Sequence, residues 1–143
     1  MMFKIFGSII VAGLVLSLAL LDFPININRL FLIADRIALS EDPDVMEREI
    51  LAIVPIDSSV DRAKQLMEKN GFDCTFTKNG NFTRARADKN APGVMRHQAY
   101  NNLDYLYCNF SRGLLVQRRW QVAIIHTEKS VKSVAVSTFL IGL

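Results

Sequence analysis

Seventeen consecutive residues without charge, 5–21, open the chain, and beyond them apolar positions recur first at helical and then at strand spacing. Leu30, Ile33, Ala34 and Ile37 are three or four apart, which predicts a short amphipathic helix over residues 26–39. Ser40-Glu41-Asp42-Pro43-Asp44 is a helix-start signal. Asp42 can cap, Pro43 suits the first turn, and Asp44 and Glu47 favour the positive end of the helix dipole. That helix runs to about Ala52 and must stop before Pro55, which disfavours a helical Val54. Asp57-Ser58-Ser59 opens a second helix. Ser58 with Asp61 fits a capping box, and Asp57 and Ser59 are alternative caps. Val60, Ala63, Leu66 and Met67 form its apolar stripe, and Asn70-Gly71 ends it, with Phe72 placed to fold back on the last turn.

From Cys74 the period changes to two. Residues 75–77, Lys78-Asn79-Gly80 and residues 81–83 read as a β-hairpin whose three-residue turn, with Gly80 left-handed, sets Phe76 opposite Phe82. Residues 87–99 contain Pro92-Gly93 and little periodicity, which predicts a long loop. Three more strands follow. Leu106, Cys108 and Phe110 alternate with Tyr105, Tyr107 and Asn109 in residues 103–110. After the Arg112-Gly113 turn, residues 114–127 carry Trp120, Val122 and Ile124 on one face, and residues 131–141 supply Val134 and Val136. The pattern predicts an α+β domain over residues 43–143, with two helices packed on an antiparallel meander of about five strands.

The leader decides the address. Met1–Lys4 carries the terminal amine and one lysine, and the apolar run would form about 25 Å of helix, just short of a bilayer's hydrocarbon core. Residues 1–21 are expected to be a signal peptide, cleaved after Ser17-Leu18-Ala19, or an uncleaved transmembrane anchor, since Leu20, Leu21 and Phe23 stay apolar past that site. The rival is a buried core helix. Residues 22–42 would then be a stalk, and a membrane-anchored or exported location in the cell envelope follows. The net charge of +3 conceals a polarity, with −5 over residues 22–73 and +7 over residues 74–143. Such a split implies ion pairing between layers, or a basic face for an anionic partner.

Chemistry-bearing residues are few. Cys74 and Cys108 permit a disulfide outside the cytoplasm, worth about 3–4 kcal/mol for a 34-residue span, with two buried thiols as the alternative. His97 and His126 are the two histidines, and with the cysteines they lack the close spacing of zinc ligands. No metal or cofactor is expected. No serine sits in a nucleophile-elbow motif, and Asp88, Asp104 and Glu128 are all the carboxylates after Cys74, so no catalytic residue is assigned. Arg118-Arg119-Trp120, with Arg84, Arg86 and Arg112, offers a basic surface in which Arg118 shares the side of Trp120. A solvated or helix-paired face is the expected role. No nucleic acid is expected for an exported domain, and anionic lipid headgroups rank above it. Asn81-Phe82-Thr83 and Asn109-Phe110-Ser111 match the glycosylation acceptor pattern.

The stretch Ile53-Val54-Pro55-Ile56-Asp57-Ser58-Ser59-Val60, leading through a helix to Gly71-Phe72-Asp73-Cys74, resembles the BamE (SmpA/OmlA-type) envelope domains, in which two helices pack on a three-stranded antiparallel sheet. The resemblance implies a non-catalytic adaptor with envelope proteins as partners. Asp57 stands where that turn usually has glycine, the lipid-anchor cysteine is absent, and no functional residue carries over. The sequence therefore points to an exported or anchored binding or scaffold domain. The alternatives are a small hydrolase using the loop around His97 and an inhibitor or immunity-type protein acting through its surface.

Overall fold

A computed structural model describes residues 36–142. The leader at 5–21 and most of the stalk lie outside them. The helix expected over 26–39 does not reach its described end, because residues 36–40 take no regular structure.

Helix α1, Pro43–Ile53, starts as its sequence dictates. Asp42 Oδ1 accepts the backbone N–H groups of Asp44 at 2.8 Å and Val45 at 3.4 Å, satisfying donors that have no partner within the helix. Met46 and Ile50, one turn apart, are fully buried. Helix α2, Val60–Lys69, is capped at Ser59 with no side-chain bond. The capping role expected of Ser58 is not what it does: its hydroxyl donates to the Pro55 carbonyl at 2.6 Å and braces the interhelical link. The C-terminus is a complete Schellman motif. Gly71 N–H donates to Glu68 O, Phe72 N–H donates to Met67 O, and Gly71 takes φ 87°. Phe72 is thereby turned back into the core.

Four antiparallel strands, not five, form one sheet in the order β1-β2-β3-β4. They are β1 Asp73–Ala87, β2 Met95–Arg112, β3 Val116–Thr127 and β4 Ser130–Gly142. The count falls because the expected hairpin at 75–83 is a single strand. Its left-handed residue marks a bulge and not a reversal. Asn79, at φ 47°, occupies the left-handed region in place of Gly80. One bulge lies in β1 between Thr77 and Gly80, and a second lies across Gly80–Phe82, where Asn102 of β2 takes φ 55°. Each strand contributes one extra residue, so pairing resumes beyond them in the register it had before. Cross-strand side chains hold the bend. The Asp104 carboxylate accepts Asn79 N–H at 2.9 Å, and Asn81 Oδ1 accepts Asn102 N–H at 3.2 Å. Phe76 and Phe82 accordingly face Leu106 and Tyr100 rather than one another. The loop expected over 87–99 shortens to residues 88–94.

The helices cover one face of the sheet, where Met46, Ile50, Val60 and Met67 meet Leu106, Cys108, Trp120, Val122, Ile124 and Val136. Beyond the bulges the β1–β2 hairpin curls toward the other side of the sheet. Ser137 of β4 accepts Ala85 N–H and donates to Thr83 O, both at 3.0 Å, so the outer edge of β1 meets β4. A second small core of Phe82, Tyr105, Ala123 and Ala135 fills this side. The free edge of β4 is covered at Val131 and Val136. Residues 57 and 58 bond to Val131, and Glu47 accepts Val136 N–H at 3.0 Å. Covered edges resist pairing with other chains.

Candidate functional site

The cysteines are brought together by the sheet register. Cys74 and Cys108 are directly opposed on β1 and β2, with Cα atoms 4.1 Å apart, and their sulfurs are bonded. Both are buried under the helices. The bridge therefore crosslinks the two longest strands inside the core.

The basic residues divide into two groups. Arg84 and Arg86 both serve the acidic helix, Arg84 from a buried position and Arg86 with its side chain 40% exposed. Arg84 is buried and bonds Asp44 at 2.9 Å and Glu47 at 2.5 Å, while Arg86 bonds Asp44 at 2.6 Å and Lys89 approaches it at 3.4 Å. Ion pairing between layers thus accounts for this part of the charge polarity. Burial pushes the Glu47 carboxyl above its ordinary range, against the lowering effects of the Val136 N–H and Arg84. Arg84 Nε is buried without a hydrogen bond among the described residues. On the surface, Lys132 bonds Asp57 at 2.6 Å and holds its carboxyl below the usual range.

Arg112, Arg118 and Arg119 lie at the opposite end of β2 and β3, around the turn that joins them. Arg118 shares the face of Trp120 as the alternation requires, and pairs with Glu41 at 3.0 Å. Arg119 points the other way and donates to Ser111 Oγ at 3.3 Å. Arg112 is exposed and makes no ion pair among the described residues. Between them stands an apolar tip. Leu114 is 93% exposed, Leu115 76% and Val116 57%, and Leu140, paired with Arg118 across β3–β4, is 60% exposed. Gly113 shapes this turn. Its φ is 130°, and a Cβ there would meet Val116 O at 2.1 Å. Sequence reading placed Leu114 and Leu115 at the start of a strand and missed their exposure. The signal was present, because three consecutive apolar residues cannot all face one side of a strand.

The histidines make no catalytic arrangement. His97 is exposed on β2 at a shallow cleft of about 220 Å³ that it shares with Arg84, Arg86, Arg96 and Gln98. Of the carboxylates after Cys74, Asp88 pairs with Arg96 at 2.6 Å and Asp104 accepts the Asn79 N–H. His126 stacks edge-on to Phe76, ring centroids 6.0 Å apart, as a half-buried structural side chain. Among the described residues no three His, Cys, Asp or Glu side chains gather as metal ligands, and no helix is long and apolar enough to cross a membrane. Comparison of the chain with known protein families, curated proteins and solved structures finds no match.

Proposed function

We propose that this protein is a membrane-tethered or exported domain of the cell envelope that works by its surface, as a binding or scaffolding module. The observation that carries the surface reading is the exposed Leu114-Leu115-Val116 tip set among arginines, an apolar protrusion that the domain's own core does not use. The buried Cys74–Cys108 bridge supports an oxidising compartment, since such bonds persist outside the cytoplasm. The uncharged leader at 5–21 supports the tether. An adaptor role of the kind implied by the BamE-type resemblance suits a domain with this design.

The test is fractionation of cells expressing the full chain with a C-terminal tag, combined with alkylation of free thiols before lysis. The expected result is protein in the membrane or extracytoplasmic fraction with both cysteines protected from alkylation. Soluble cytoplasmic protein with an intact N-terminus and two alkylated cysteines would overturn the proposal.

A further inference from the structure

The end of the sheet that carries the apolar tip is also the end at which the chain enters the domain. Trp120 Nε1 donates to Ser40 O at 2.7 Å, and Thr138 Oγ1 donates to Glu41 O at 2.7 Å. Trp120 and Thr138 are cross-strand partners, and the Val116–Gly142 pair lies four residues further along the same ladder, about 13 Å away. The entry segment at Ser40 and Glu41 thus lies one short step behind the tip. The fourteen residues between the leader and Arg36 span at most about 50 Å even when fully extended. The hairpin itself carries only positive charge: residues 105–127 contain no Asp or Glu, and with Arg118 paired to Glu41, Arg112 and Arg119 are the cations left flanking the leucines.

We infer that the β2–β3 tip dips Leu114 and Leu115 into the interface of an anionic lipid bilayer, with Arg112 and Arg119 at the level of the phosphates. This rests on the membrane reading of residues 5–21 and names the partner of the exposed tip. Aliphatic side chains gain by leaving water, and guanidinium groups beside them meet anionic headgroups without being desolvated. A second copy of the chain fits less well, because a stable protein interface buries about 800 Å² on each partner, more than four protruding aliphatic side chains supply. The consequence is orientation. The tip is the part of the domain that meets the bilayer.

The test uses the full chain carrying Leu115→Trp, reconstituted into phosphatidylcholine vesicles with or without phosphatidylglycerol, and brominated lipids as quenchers. The native Trp120 is buried and serves as the internal reference. The introduced indole is expected to be quenched by shallow bromines in the anionic vesicles. Adding Arg112→Gln and Arg119→Gln is expected to lower the insertion equilibrium at least tenfold, at about fivefold per charge. An unquenched, water-exposed indole in a chain that resists alkaline extraction overturns the inference and leaves the anchor standing. A chain released by alkali whose indole is still quenched supports the tip and refutes the anchor. Crosslinking between chains through position 115 without quenching assigns the tip to a second copy and overturns the lipid partner.

Discussion

Removing the Cys74–Cys108 bridge tests the energetic argument most directly. In the Cys74→Ala/Cys108→Ala variant the unfolded chain regains the freedom of a 34-residue loop, which corresponds to about 3.7 kcal/mol at 25 °C. Both side chains sit in the helix-facing core, Cys108 with no exposure, so lost sulfur packing adds roughly 1 kcal/mol. A domain of this size has about 5–15 kcal/mol in total, so the loss removes about a third of it or more. The assay is urea unfolding followed by the single tryptophan. Trp120 is buried against Phe110, with ring centroids 5.7 Å apart, and its emission reports loss of that environment. The midpoint is expected to fall by about 2 M urea. The slope of the transition should steepen as well, because the uncrosslinked unfolded state exposes more surface. Midpoints within about 0.3 M of each other would refute the reasoning, since they would mean that the bridge constrains nothing that strand pairing does not already constrain in the unfolded ensemble.

Four further substitutions, one of them a control, probe the rest of the frame. Arg84→Met leaves the half-buried Asp44 and Glu47 without their shared partner and should cost about 3 kcal/mol by thermal denaturation, with Arg86 and Lys89 still serving Asp44. Glu47 has a raised folded-state pKa, so its contribution is full below its unfolded value and is lost as pH rises through the folded one. The stability difference between wild type and Glu47→Gln should therefore move in favour of the variant over that interval, and a pH-independent difference in urea midpoint would contradict this. Asp57, held low by Lys132, is present in both proteins and cancels. Gly80→Ala would place a Cβ 2.4 Å from Thr77 Cγ2 and 2.8 Å from the Tyr105 ring, and should destabilise by about 1–3 kcal/mol in the same assay, while Gly142→Ala, with nothing within 4 Å, should be neutral.

Local chemistry by itself determined both helices of the domain. Asp42 and Pro43 start one and Asn70-Gly71 ends the other, because caps and Schellman turns are closed within six residues of chain. The faces of β2, β3 and β4 were also legible, since a side-chain period of two needs no partner to state which residues go together. Three features belonged to the tertiary structure alone. A left-handed Asn79 suits a hairpin turn and a bulge equally, and only β2, with Asn102 bulging opposite and Asp104 accepting the freed N–H, makes it a bulge. Whether Arg84 faced solvent or α1 depended on the curl of the β1–β2 hairpin, which carries it from the basic half of the chain to the acidic one. The exposure of Leu114 and Leu115 likewise depended on where the sheet ends, a long-range property. Composition marks a residue as apolar, and the fold decides whether anything remains to cover it.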